Sequence, residues 1–414
     1  MATFYVSSGS GDDGDSGASK ELAKKTLKGV LTGSSIADGD TVEILDEETY
    51  PEGDIPIDIP NLTIIHTASH LGRPKVDALG STWVFKQNTS GTTFQGIEMY
   101  NASVVIDRTT NTPTGAGTWF HLTGCFIHDV NYLASYNIVG SAAKKTSIDE
   151  CVLYFNDAGR SHINVVSNLT LRNSLMTASS DENLVADFGD ATNSVTASFC
   201  TFINAPPRAS SKVIIQVGKA INCIVSGSGY GIASDNHTYN LVTTSKLAFQ
   251  THDLSPGATG SGEITFQDPL FIDGTAVGSS SAIAANFKLQ EGSPAVGYAT
   301  PIGILFDLSG NARPEGGPSG SEANPDMGCF EYQYVPDPAW SSYGTQSSPG
   351  FDSNFTINLY QNLTSNYKLT YAGGPGQVPF SLGPKGPGTL RGRLGAYGVS
   401  KGGDPSTIIQ TSSA

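Results

Sequence analysis

The chain has 414 residues; 15% are charged and 38% hydrophobic, and glycine alone contributes 48. Formal net charge is −15 and sequence pI about 4.8, a balance that argues against nucleic acid and against an anionic membrane surface as partners. No stretch alternates strands with long amphipathic helices and no apolar run is long enough to cross a bilayer, which leaves an all-β, turn-rich chain.

The N-terminal segment MATFYVSSGSGDDGDSG has neither a basic region nor an apolar one, so no signal peptide is expected. GDDGDSG at 11–17 has the composition of a calcium loop but lacks the EF-hand spacing and its closing glutamate. One capping helix is predicted over 18–31. Ser19 would be its N-cap, Glu21 lies in its first turn, and Lys24, Lys25 and Lys28 follow, with Leu22, Leu27, Val30 and Leu31 as an apolar stripe. Beyond it, NLTIIH, STWVF, SVVID, SHINVV, KVIIQV and EITF are short β-branched runs bounded by Gly, Asn, Asp or Ser, and predict strands.

An internal repeat organises these strands. FQGIEM at 94–99, LTGCFI at 122–127, IDECVL at 148–153, LRNSLM at 171–176, ASFCTF at 197–202 and INCIV at 221–225 align on Ile97, Cys125, Cys151, Ser174, Cys200 and Cys223. The steps between them are 28, 26, 23, 26 and 23 residues, the period of a solenoid coil made of three short strands. One coil cannot bury its own apolar face, but stacked coils share a continuous column. The six residues are therefore read as a structural ladder facing that column, where a buried cysteine serves as a small hydrophobe. Five cysteines, an odd number with no CxxC pair, argue against a disulfide framework or a zinc site. The expected fold is a right-handed, single-stranded parallel β-helix over 1–334.

Chemistry in a solenoid should recur at one phase on neighbouring coils. Three residues after the ladder come His128, Tyr154, Thr177, Ile203 and Ser226; four after come Asp129, Phe155, Ala178, Asn204 and Gly227. No carboxylate line emerges. Asp181, Glu182, Asp187 and Asp190 form an acidic loop, read as a solvated loop with a weak cation site as the alternative, and Asp157, Arg160 and His162 a polar cluster, read as a hydrogen-bonded turn with a catalytic role as the alternative. No catalytic residue, no metal and no cofactor is predicted.

Composition shifts after Tyr332. Residues 335–373 read as a linker in which FTINLYQNLTSNYKLTYAG, at 355–373, predicts two strands that pair with a neighbouring subunit. Residues 374–414 read as an extended Gly/Pro-rich arm. From 339 onward five basic side chains face two acidic ones, a net of +3 that leaves −18 on the remainder. Lys385, Arg391, Arg393 and Lys401 are the candidate partner-binding residues.

Two groups of motifs carry a resemblance. FYVSSGSGDDGDSG, the predicted helix, and a coil with Gly39, Asp40, Thr41, Thr49, Tyr50 and Glu52 open the chain. QDPLFID at 267–273, FKLQEGSPAVG at 287–297, then Asp307, Gly310, Arg313 and Pro314, and PDMGCFEY at 325–332 close the region. Together they resemble the pectate-lyase-like right-handed parallel β-helix superfamily, with Cys329 where alanine is usual. The resemblance covers about 1–334 and implies a fold, not an activity, because the superfamily holds polysaccharide lyases, hydrolases, epimerases, adhesins and virus spikes. A β-helix of this type, without a signal peptide and with a basic arm, leads to the expectation of a bacteriophage virion structural protein. The specific expectation is a capsid decoration (cement) protein, made in the host cytoplasm, that binds the shell through its C-terminal arm. Such a protein would be a homotrimer whose partner is the major capsid protein or another virion protein, with a host glycan as a further candidate. The alternative is a tailspike, or a polysaccharide lyase or hydrolase of the same superfamily.

Overall fold

Runs such as TVEI, TIIH, TTFQ, FHLT and TSID alternate fully buried with half-buried side chains, the period-two signal of a strand with one face on a core. A computed structural model describes residues 1–67, 72–89, 91–107, 119–134, 138–139, 145–156, 161–178, 183–187, 195–204, 213–227, 230–233, 236–238, 240–242, 264–265, 267–272, 284–314, 324–333, 369–371 and 380–382. The chain divides into two units, Met1–Val335 and Pro336–Ala414.

In the first unit those runs become a ten-stranded sheet. Its order is Thr3–Val6, Thr41–Ile44, Thr63–His66, Thr92–Gln95, Phe120–Thr123, Thr146–Asp149, Leu169–Arg172, Thr196–Ser198, Lys219–Ile221 and Asn236–Thr238. A second sheet stacks Thr49–Pro51, Lys75–Asp77, Glu98–Asp107, Phe126–Ala134, Val152–Phe155, Leu175–Ala178, Thr201–Asn204, Ile224–Gly227, Leu241–Val242 and Ile264–Thr265, with Ile55–Ile57 and Trp83–Gln87 joining at one side. A third holds Ile138–Val139, Ile163–Ser167, Val185–Asp187, Val213–Gln216 and Tyr230–Ala233. Every pairing in all three is parallel, between strands of successive coils. This is the expected parallel β-helix.

Between the first two sheets the column is filled by stacked apolar rows. Ile64, Phe94, Leu122, Ile148, Leu171, Ala197 and Ala220 line up from the first sheet. Val76, Met99, Ile127, Leu153, Met176, Phe202, Val225 and Val242 do so from the second. All are fully buried. Phe202 shares a coil with Ala197, so a large residue on one sheet offsets a small one on the other, as dense packing requires.

The ladder residues Ile97, Cys125, Cys151, Ser174, Cys200 and Cys223 are each 0% exposed. They sit not within strands but in a two-residue corner that joins the first sheet to the second. The residue before each ladder position has positive φ: Gly96, Gly124, Glu150, Asn173, Phe199 and Asn222. The corner thus stacks as a left-handed column, held by amides such as Gly124 N to the Asp149 carbonyl (3.0 Å) and Asn173 N to the Ser198 carbonyl (3.0 Å). Only glycine, and to a degree asparagine, enters this region at little cost. Burial pushes the Cys151 thiol well above its ordinary pKa and holds Cys329 up at about 12, so both stay neutral packing groups. The position after Cys223 is Asn240, whose Oδ1 accepts from Cys223 N (2.8 Å) and whose Nδ2 donates to the Ala220 carbonyl (3.0 Å).

The predicted helix over 18–31 is corrected. A single 3-10 turn, Lys20–Leu22, is followed by extended chain, and the α-helix runs over Leu27–Gly33. Lys24 pairs with the first strand, donating to the Tyr5 carbonyl (2.9 Å) and accepting from Ser7 N (2.8 Å), which breaks a helix started at Ser19. The N-cap is Thr26, whose hydroxyl accepts from Gly29 N (2.8 Å). Glu52 then accepts from Leu27 N (2.7 Å) and Lys28 N (2.9 Å), satisfying amides a helix start leaves unpaired. Leu22 is 46% exposed and drops out of the stripe; Leu27, Val30 and Leu31 remain in the core. The GDDGDSG loop is structural too: Asp13 accepts from Lys25 N, Thr26 N and the Thr26 hydroxyl.

The described residues of 267–332 (267–272, 284–314 and 324–332) form a strap across the outer face of the second sheet. Phe271, Phe287, Leu289, Ala295, Met327, Cys329 and Phe330 pack on Val152, Leu175, Ile203, Ile224 and Leu241. Gly328 comes so close that a Cβ there would meet Ile224 Cδ1 and Thr201 Oγ1 at 2.7 Å each. Corner residues hold the strap: Asn222 exchanges two hydrogen bonds with Thr300, and Asn173 Nδ2 donates to the Phe306 carbonyl (3.1 Å).

In the second unit, Leu369–Tyr371 pairs antiparallel with Phe380–Leu382 of the same chain. The other strand expected within 355–373 lies outside the described residues. Among the described residues no helix is long and apolar enough to cross a membrane.

Candidate functional site

The outer face of the second sheet changes character along its length. In register, Lys75, Glu98, Phe126 and Val152 form one row, followed by Leu175. Asp77, Tyr100 and His128 form the next. Val152 and Leu175 are buried under the strap, whereas Lys75 is exposed and Asp77, Glu98, Tyr100 and Phe126 are half-buried. A polar, aromatic face therefore begins where the apolar, covered one ends.

His128 is its centre. Its Nε2 lies 3.1 Å from Glu98 Oε1 and its Nδ1 2.8 Å from Asp129 Oδ2. Its ring stacks on Tyr100 (centroids 4.8 Å apart, 10° between planes) and tilts against Phe126 (4.6 Å). Asp129 reaches the imidazole because the strand bulges between Ile127 and Val130, with Asp129 itself at φ 52°. Such bulges re-aim side chains. One coil earlier, Asn101 at φ 61° donates to Asp77 Oδ1 (2.9 Å).

The electrostatics follow from this packing. Burial pulls the His128 pKa down, but hydrogen bonds and charge from Glu98 and Asp129 outweigh it and raise the pKa above the ordinary histidine value. The stability contributed by the charged ring is thus complete below that ordinary value and fades as pH rises through the raised one. Burial, with Asp77 beside it, lifts the Tyr100 hydroxyl. The result is a short ring stack, its ring faces packed on one another, flanked by three carboxylates that can accept from hydroxyl or ammonium donors.

Of the residues singled out in the sequence, His128 and Asp129 are brought together here. His162 is a core histidine, 1% exposed, stacked on Phe155 (4.8 Å) and bonded through Nδ1 to the Asn131 carbonyl (2.6 Å). Asp157, Arg160, Asp181, Glu182 and Asp190 lie outside the described residues, as do Lys385, Arg391, Arg393 and Lys401; Asp187 ends a strand, but its side chain is outside them too. Among the described residues no group of three or more His, Cys, Asp or Glu is arranged to hold a metal ion. Asp77, Glu98 and Tyr100 were missed because the phases were counted forward from Cys125. Counting back through Ile97 to Pro74, whose carbonyl accepts from Glu98 N, puts all three on the face.

No protein-family model and no curated protein matches the sequence. Among solved structures the chain is similar to pectate lyase Pel9A, at 11% identity over 80% of this chain and 97% of that one, with a TM-score of 0.38. It is similar to the pectin methylesterase from Aspergillus niger at 10% identity, over 69% of this chain and 91% of that one, with a TM-score of 0.36. A rhamnogalacturonan lyase shares 13% identity over 69% of this chain and 97% of that one, with a TM-score of 0.29. The fold itself, read from the strand order and register, is a parallel β-helix. At these identities the likeness concerns chain path alone, and function has to come from the site.

Proposed function

We propose that this is a glycan-binding β-helix protein of the carbohydrate-active or tailspike-like kind, and that its contact face is the outer second sheet around Tyr100 and His128. One observation carries the reading: the strap covers the apolar part of that face and stops where aromatic rings and carboxylates begin. Sugars present apolar C–H faces and hydroxyl donors, which rings and carboxylates match. The test is binding to a panel of neutral, amino-substituted and acidic polysaccharides by affinity electrophoresis, with release of reducing or unsaturated ends read in parallel. Tyr100→Ala is expected to weaken binding about tenfold, the cost of truncating one aromatic anchor. No retardation by any member of the panel would sink the proposal, and released ends would make the protein an enzyme.

A finer reading adds the particle: a virion protein, decoration or tailspike, that attaches through 374–414. Its support is the charge contrast between a +3 C-terminal segment and a −18 remainder. Deleting 374–414 is expected to abolish particle binding while leaving the circular dichroism and melting of the β-helix intact; retained occupancy on particles would remove this reading.

A further inference from the structure

We infer that the outer side of the strap is a self-association surface, on which a second copy of this chain docks strap to strap. The stretch GSPAVGYATPIGILFDL, at 292–308, is apolar on two sides. Ala295, Val296, Ala299, Ile304 and Leu308 pack inward, on the apolar cluster over the second sheet. Tyr298, Ile302, Leu305 and Phe306 face solvent, exposed by between 40% (Ile302) and 64% (Leu305). A single layer of chain that is apolar on both sides is ordinarily buried on both, as a strand between two packed layers is. The four exposed side chains present roughly 400–500 Å² of apolar surface, the size of patch that marks an interaction site on a soluble protein. The patch is also held in place. Asn222 fixes Thr300 by two hydrogen bonds (2.7 and 3.0 Å), and the Phe306 carbonyl accepts from Asn173 Nδ2 (3.1 Å), so little ordering is left to be done on binding.

Charge and area select the occupant. No Asp, Glu, Lys, Arg or His occurs from Gly292 to Phe306, and Asp307, which follows, is buried and accepts from amides of the strap itself. The whole chain carries −15, so two copies that met through acidic faces would set like charge against like. Strap to strap, only uncharged side chains meet. That is what a two-fold contact requires, because residues near its axis face their own copies. The basic segment from 339 onward would instead be drawn to acidic surface. A standard interface takes about 800 Å² from each partner, and the patch supplies about half of that as an apolar core. Gln290 and Glu291 before it, and Ser309 and Asn311 after it, supply the polar rim.

The salt response separates this contact from an electrostatic one. Apolar association of two acidic bodies tightens as salt screens their repulsion, whereas docking of the basic C-terminal segment on an acidic body weakens. Sedimentation equilibrium of the full chain at about 20 and about 200 mM salt is expected to show a micromolar monomer–dimer equilibrium whose dissociation constant falls at the higher salt. Leu305→Lys and Leu305→Glu, with circular dichroism unchanged, are each expected to raise that constant about 100-fold, as loss of a central interface side chain does. An equimolar mixture of the two variants should dimerise again, because opposite charges then meet across the two-fold. Leu79→Lys, at a side chain as exposed as Leu305 (63%) on another coil, should change nothing, which separates the strap from general stickiness. A chain that stays monomeric at about 100 µM, where a micromolar dimer would be nearly complete, overturns the inference. An apolar dye then names the other occupant: uptake leaves the patch to a different protein, and no uptake assigns it to residues 334–414 of the same chain. A trimer, a dimer that persists in both Leu305 variants or weakens with salt, or a mixture that fails to recover, overturns the inference as well.

Discussion

Arg313→Ala is expected to cost about 3–5 kcal/mol and to lift the strap, because it strands buried charges that now satisfy one another. The Arg313 and Glu331 side chains are 0% and 1% exposed and lie 3.0 Å apart. Arg313 also donates to the carbonyls of Asp326 (3.0 Å) and Gly328 (2.9 Å) and to Asn173 Oδ1 (3.2 Å), and its guanidinium lies 4.5 Å from the Phe199 ring. It therefore ties both passes of the strap to the corner of the helix. Around it Asp307 accepts from Ser309 N, Asn311 N and Glu331 N, and Asp326 accepts from Gly297 N. Loss of the guanidinium leaves the Glu331 carboxylate without its counter-charge in a dry site and takes a donor from the Asp326 and Gly328 carbonyls. Urea unfolding should show the lowered midpoint. Binding of an apolar dye and early proteolysis within 267–332 should report the uncovered Val152, Leu175 and Ile224. The double variant Arg313→Met, Glu331→Leu should recover much of the loss, since it removes both charges. A change below about 0.5 kcal/mol in Arg313→Ala would mean that the lock does not hold the strap.

The closing motif explains why so much of this architecture can be read from sequence. Asp307, Arg313, Asp326 and Glu331 drew notice only by their wording and order, and all four meet in one buried network. The ladder was visible for a similar reason: stacked coils force one residue class into one phase, so Cys125, Cys151, Ser174, Cys200 and Cys223 repeat. What did not show was whatever depends on partners distant in sequence. The helix begins at Leu27 because Glu52 and Asp13 supply its caps from other segments, and because Lys24 is claimed by the first strand. Glu98 and His128 stand 30 positions apart and meet only through the strand register. A strap that covers half of one face is also invisible to periodicity, since Leu175 and Ile224 point away from the column and yet are buried.

Asn222→Val is expected to cost about 3–5 kcal/mol, and comparison with Asn222→Gly divides that cost between backbone and strap. Asn222 sits at φ 57° in the left-handed corner, a region that charges most residues about 1–2 kcal/mol and a β-branched one at the upper end. Its side chain is wholly spent on Thr300: Nδ2 donates to the carbonyl (2.7 Å), and Oδ1 accepts from the amide (3.0 Å). Glycine keeps the backbone at ease and deletes only those bonds, so it should lose about 1–3 kcal/mol. Valine loses them and adds the strain. Glu150 supplies the control. It occupies the same corner at φ 54° on an earlier coil, with its side chain exposed, so Glu150→Asn should be neutral or stabilising by up to about 1 kcal/mol. Unfolding midpoints of the three variants decide the matter. If Asn222→Gly matches wild type, the strap bonds contribute nothing. If Asn222→Val matches Asn222→Gly, the left-handed corner is not what selects asparagine there. The expected split instead makes each corner residue answer to two demands at once, and asparagine meets both: it tolerates positive φ, and it carries a donor and an acceptor on one short side chain. Gly96 and Gly124 meet only the first, and they stand on the coils where the polar face begins.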